Sequence, residues 1–170
     1  MVILLMGVTG SGKTTIGQAL AESLDWQFID ADDFHPPSNV AKMRAGIPLD
    51  DADRAPWLAA LRTQIVGWLK SEANVVLACS ALKQAYRDEV VVSPDVRVVY
   101  LRGNSELITT RLKERHGHYM DPNLLSSQFA TLEEPRDALV VDVDASVDEI
   151  VKQIRKGIGV PRQIVRSNLR

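Results

Sequence analysis

The stretch Gly7-Val8-Thr9-Gly10-Ser11-Gly12-Lys13-Thr14 limits the fold more than any other part of the chain. The apolar run Val2-Ile3-Leu4-Leu5-Met6 leads straight into it, and a helix-period pattern of Ile16, Leu20 and Leu24 follows. This is G-x-x-x-x-G-K-[ST] in the strand-then-helix setting that the motif requires. Glycines let successive backbone N–H groups turn inward around phosphate oxygens, and the next helix N-terminus adds its positive end. Lys13 is placed to reach the β- and γ-phosphates and Thr14 to hold Mg²⁺. Gly10, Ser11, Gly12, Lys13, Thr14 and Thr15 are the expected nucleotide-binding set. A plain glycine-rich turn is the competing reading, and the flanking strand and helix argue against it.

The rest of the chain continues the alternation. Val2–Met6, Gln27–Asp30, Val75–Cys79, Val96–Leu101 and Leu139–Val143 read as short buried strands, rich in Val, Leu and Ile. Continuous apolar runs suit a parallel sheet covered by helices on both faces. Trp57, Leu58, Leu61, Ile65, Trp68 and Leu69 fall on one helix face, as do Val147, Ile150, Val151, Ile154 and Ile158. The expected class is α/β with a mostly parallel sheet, and ligands in such sheets collect at the C-terminal strand ends.

At 170 residues one domain is expected, with no linker dividing it. A net charge of −2 leaves no basic footprint for nucleic acid. No apolar stretch approaches a membrane span, and the N-terminal run lacks a basic region before it, so a cytoplasmic location is expected. Cys79 is the single cysteine, and it reads as a packing residue.

The phosphate loop does not by itself name a reaction. A guanine-reading N-K-x-D is absent, and the third strand, ending Ala78-Cys79-Ser80, supplies no acid for the Mg²⁺ side. The stretch Asp30-Ala31-Asp32-Asp33-Phe34-His35 is the obvious alternative source. Along an extended chain, residues 30 and 32 point the same way. One acid can then hold Mg²⁺ through water while the other accepts a proton from an alcohol. Asp33 fits a solvated turn equally well, with Asp33 or Ser38 capping the next helix. Asp142 and Asp144 read as strand-end and helix-start residues, and Ser146 with Glu149 reads as a capping box.

These blocks, taken in order, resemble the gluconokinase family. The likeness rests on the phosphate loop, DADDFHP (30–36), GIPLDDADRAPWL (46–58), CSALKQAYRD (79–88) and RLKERHGHYMDPNLLSSQFATLEEP (111–135). The resemblance implies a P-loop kinase fold like that of adenylate and shikimate kinases: a five-stranded parallel sheet flanked by helices, with a lid over about residues 111–125. It implies ATP- and Mg²⁺-dependent phosphorylation of D-gluconate at its 6-hydroxyl, and a homodimer. A kinase for another small hydroxy acid such as shikimate, or a non-catalytic ATP-binding regulator, are the alternatives.

The resemblance also distributes roles. Asp30 faces hydrated Mg²⁺, Asp32 faces the gluconate hydroxyl, and His35 is a substrate contact. Arg54 suits the substrate carboxylate because a guanidinium grips it through two hydrogen bonds, the other reading being an ion pair with Asp51 or Asp53. Trp57 in the same block belongs to the core. Ser80, Lys83 and Arg87 form a second substrate cluster, with Lys83 and Arg87 on one helix face, or else a solvated basic face. Arg111 is expected near the adenine and Arg115 near the β/γ-phosphates, where it stabilises transition-state charge. His118 is expected to touch substrate or lid. Gln128 either hydrogen-bonds a gluconate hydroxyl or lies on a helix surface.

Overall fold

The computed structural model describes residues 1–114 and 122–159. Five parallel strands, β1 (Val2–Met6), β2 (Gln27–Asp30), β3 (Val75–Ala78), β4 (Val96–Arg102) and β5 (Leu139–Asp142), form one sheet in the order β2-β3-β1-β4-β5. The described helices are α1 (Lys13–Leu24), α2 (Pro37–Arg44), α3 (Asp51–Lys70), α4 (Gln84–Val90), α5 (Ser105–Glu114), α6 (Pro122–Thr131) and α7 (Val147–Ile158). A 3₁₀ turn, Ala31–Phe34, follows β2.

Strand β1 lies at the centre, with Leu4 in register with Leu77 on one side and Val98 on the other. Its side chains alternate between two cores. Ile3 and Leu5 pack with Ile16 and Leu20 of α1 and Ile150 and Ile154 of α7. Val2, Leu4 and Met6 pack with Trp57, Leu61 and Ile65 of α3 on the opposite face. All five residues of β1 are therefore fully buried, which is why the run is unbroken rather than alternating. Truncation of a fully buried leucine such as Leu61 to alanine typically costs about 2–5 kcal/mol.

The expected helix faces form as read. α3 buries Trp57, Leu58, Leu61 and Ile65, and α7 buries Ile150, Val151 and Ile154. α7 begins with the Ser146–Glu149 capping box and ends at Gly159 in the left-handed conformation. The expectation that all five strands are buried fails at the edges. Gln27 of β2 is exposed and the rest of that strand is half-buried, while β5 buries only Val141. Each has a strand on one side only, and their apolar residues reflect partial cover.

The chain leaves β1 toward β2 on one side and reaches β4 on the other. A crevice opens where the order reverses, at the C-terminal end of β1. Among the described residues, no helix is long and apolar enough to cross a membrane.

Candidate nucleotide and acceptor site

The loop after β1 is shaped by its glycines. Gly10 and Gly12 have φ of 83° and 91°. A side chain on Gly10 would begin 2.9 Å from Leu112 Cγ of α5, so both the conformation and the space require glycine there. Gly12 is the N-cap of α1 and makes no side-chain cap, and the first turn of α1 carries no acid. The orphan N–H groups of that helix end are thus left for a ligand. Ser11 is fully buried, and its hydroxyl has no hydrogen-bond partner. Lys13 Nζ folds over the loop and donates to the carbonyls of Gly7 and Val8 at 2.9 and 3.1 Å. An uncapped helix end, an orphaned hydroxyl and an adjacent ammonium suit a phosphate group. Thr14 lines the cavity in front of this loop; Thr15 is exposed and does not.

That cavity has a volume of about 670 Å³. The P-loop forms one wall, and Asp30, Asp32 and His35 contribute to another. The two acids do meet the P-loop, by a different geometry from that expected. Asp32 is not on an extended chain; it lies in the 3₁₀ turn, which Asp30 caps by accepting from the Asp32 N–H at 3.1 Å. Asp33 is exposed and lines nothing here, and α2 is capped by neither Asp33 nor Ser38: its N-cap is Pro36, with no side-chain bond. Asp32 keeps 71 % of its side-chain surface but sits in a concave wall. Desolvation, followed by the charge of Asp30, raises its pKa against the pull of Lys13. Among the described residues no three His, Cys, Asp or Glu side chains form a metal cluster. A hydrated ion here would rely on the Thr14 hydroxyl, Asp30 and the phosphates, which is the donor set of a magnesium–nucleotide site.

His35 is nearly closed off, with 5 % of its side chain exposed. Its ring stacks on Trp57 with centroids 4.4 Å apart and planes 12° apart. Trp57 is core, as expected, and donates from Nε1 to the Ala31 carbonyl at 2.7 Å, tying α3 to the turn that carries Asp32. His35 Nε2 is 3.9 Å from Asp32 Oδ1. Asn39, which the sequence did not single out, is buried beside it. Its spacing from His35, four residues, was the one available signal.

Arg54 lines the cavity but pairs with neither Asp51 nor Asp53. It donates to the Leu49 carbonyl at 2.5 Å and lies 3.4 Å from the Tyr86 hydroxyl. Lys83 also lines it and forks onto both oxygens of Asp51 at 2.8 and 2.9 Å. The Tyr86 hydroxyl donates to the same carboxylate. The Lys83 hydrogen bond, then that of Tyr86, holds Asp51 below the usual carboxylate range. Tyr86 is a further residue the sequence did not single out, and Asp51 was read only as an alternative partner of Arg54; together they set the reach of both cations. Ser80 lines the cavity as expected.

Arg87 departs from expectation. Lys83 is the N-cap of α4, so it does not share a helix face with Arg87. Arg87 is 3 % exposed and does not line the cavity; it donates to the carbonyls of Ala81 and Leu82 and to Gln84 Oε1. Its guanidinium ties down the loop after β3, because the carbonyls of that turn need donors. Gln128 lines the cavity, but its amide is engaged by the loop. Its Oε1 accepts from the Thr9 N–H at 2.7 Å and its Nε2 donates to the Thr9 hydroxyl at 3.0 Å, so it pins the P-loop from α6. It is thus not a free helix-surface residue. Arg111 donates to the Val143 carbonyl, on the β5 side of the crevice. Arg115 and His118 lie outside the described residues, as does most of the expected lid. Cys79 is buried, which pushes its thiol up to about 12 and leaves it a packing residue.

Comparison with known proteins gives the family and the fold. A family model for shikimate kinase matches residues 9–159. A probable gluconokinase of Dictyostelium discoideum is 44 % identical over 168 residues, covering 91 % of this chain and 84 % of that one. The crystal structure of a gluconokinase from Sinorhizobium meliloti 1021 superposes with a TM-score of 0.84 at 42 % identity, covering 93 % of this chain and 91 % of that chain. Shikimate kinase from Aquifex aeolicus shares the fold at a TM-score of 0.61 and 19 % identity, covering 94 % of this chain and 96 % of that chain. A gluconokinase-like identity across nearly the whole chain, carried on the shikimate kinase fold, places this chain in the gluconokinase family of P-loop kinases.

Proposed function

We propose that the protein transfers the γ-phosphoryl group of ATP to the 6-hydroxyl of D-gluconate, giving 6-phosphogluconate and ADP. The observation that carries this reading is the cavity itself. It joins an uncapped, phosphate-ready helix end to an acid with a raised pKa and to two cations, Arg54 and Lys83. An acceptor with a hydroxyl at one end and a carboxylate at the other matches that sequence of groups.

In this mechanism the P-loop N–H groups and Lys13 hold the phosphates and neutralise charge as the bond to ADP lengthens. Thr14, and Asp30 through water, would hold a magnesium ion, which would supply positive charge to the phosphates. Asp32 orients the hydroxyl and takes its proton late, because an alcohol is a very weak acid until the new O–P bond forms. Arg54 binds the substrate carboxylate, and Lys83, steadied by Asp51, supports it. Gln128 keeps Thr9 and the loop in place. Arg111 borders the adenine, and Arg115 and His118 would complete the lid. The finer assignments, including a homodimer, rest on the resemblance.

The test is a panel of small hydroxy acids, shikimate among them, incubated with ATP and Mg²⁺ while ADP release is followed. D-gluconate should be the preferred acceptor. Preference for another acid would overturn the substrate, and tight ATP binding without any turnover would overturn the reaction.

A further inference from the structure

Asn39, on α2, is 2 % exposed and faces the first turn of α3. Its Nδ2 donates to the Asp53 carbonyl at 2.7 Å. A carbonyl only accepts, so the amide must present its nitrogen there. The same nitrogen lies 3.2 Å from His35 Nδ1. With one hydrogen on Asp53, the second faces Nδ1, which must then offer its lone pair. A neutral imidazole carries one ring proton, so that proton is on Nε2. Burial and the nearby Arg54 charge keep His35 below its usual pKa and the ring neutral. The Trp57 stack fixes the ring plane.

This places an N–H at Nε2, 3.9 Å from Asp32 Oδ1. The two atoms are too far apart to bond each other, yet both can hydrogen-bond one oxygen set between them. We propose that Asn39 is a positioning residue that locks His35 in the Nε2–H tautomer, so that His35 and Asp32 together grip a single acceptor hydroxyl. His35 donates to the hydroxyl oxygen and Asp32 accepts its proton. The second lone pair stays available to the phosphorus. This rests on the reading of Asp32 as the group facing the acceptor. It also selects chemistry: a carboxylate has no proton for Asp32, and an ammonium has no lone pair for His35.

Nitrogen-15 NMR of the imidazoles reads the tautomer directly. The chain has three histidines, and the His35 signal is the one lost in His35→Gln. The wild-type protein should show Nε2 protonated and Nδ1 bare. Asn39→Asp, which can only accept, should draw the proton to Nδ1. It should lower kcat with the preferred acceptor about tenfold while the KM for ATP holds. His35→Gln, whose amide nitrogen can stand near the Nε2 position, should retain more kcat than His35→Asn, whose nitrogen stands at the Nδ1 position. A wild-type His35 protonated at Nδ1 would overturn the proposal even if Asn39→Asp failed to fold. So would a folded Asn39→Asp with an unchanged tautomer, or equal rates for the two His35 variants. The spectrum does not depend on which acceptor is used, so failure of the gluconate reading and failure of this one are told apart.

Discussion

Helices α1 and α3 both begin at the wall of one cavity, and their N-termini are finished in opposite ways. α1 starts at Gly12 with no side-chain cap and no acid in its first turn. α3 starts at Asp50 with a complete capping box: Asp50 accepts from the Asp53 N–H at 2.7 Å, and Asp53 accepts from the Asp50 N–H at 3.1 Å. Lys42 Nζ then closes on Asp53 at 2.6 and 2.8 Å. α7 repeats the closed pattern with Ser146 and Glu149. The closed ends satisfy their own donors and fix the walls. The open end forgoes that local stability and offers its donors to an anion.

The sharpest way to break this contrast is at the open end. Lys13→Met should lower kcat/KM on the order of 10³-fold, since it removes the ammonium that faces the developing charge. Steady-state kinetics near wild type would show that the loop is not a phosphate site.

Asp32→Asn tests the wall opposite. It should lower kcat by about 10²–10⁴-fold while ATP affinity, measured by titration calorimetry, is largely kept. Near-normal turnover would remove Asp32 from the chemistry. Stability should move the other way. The raised pKa means that the native state binds this proton more tightly than the unfolded chain, so ionised Asp32 works against folding. Thermal melts should therefore find Asp32→Asn more stable than wild type at neutral pH. The gain should fade as the pH falls through the folded pKa toward 3.8, the ordinary value for an aspartate.

The smallest effect belongs to a closed end. Ser146→Ala should cost about 1 kcal/mol, or about 3 °C in Tm, and leave kcat and KM unchanged. A loss of activity in that variant would blur the distinction between ends that bind and ends that only stabilise.

The features legible in the sequence share a physical character: each is set by neighbours a few positions away. The P-loop, the apolar strand runs, the faces of α3 and α7 and the Ser146–Glu149 box all depend on backbone periodicity or on a short reach along the chain. Strand boundaries came within a residue of those observed for the same reason. The departures concern side chains engaged by nearby backbone groups, which a pattern of residue types does not display. An extended chain would point Asp32 the same way as Asp30, but Asp30 caps a 3₁₀ turn there instead. Arg87 carries the charge of a ligand-binding residue, yet the carbonyls of Ala81 and Leu82 claim it.

By itself, then, the sequence determined that a phosphate loop joins a buried parallel strand to a helix, and that acids stand at the end of the second strand. The family likeness of the blocks around them is equally a property of the sequence. Only the tertiary structure decided which of those acids meets a histidine, and how the loop is held. Gln128 reaches Thr9 across 119 residues, and Trp57 supports both Ala31 and His35 from a helix of its own. Such contacts follow from how helices pack on the sheet, and no local pattern encodes the packing.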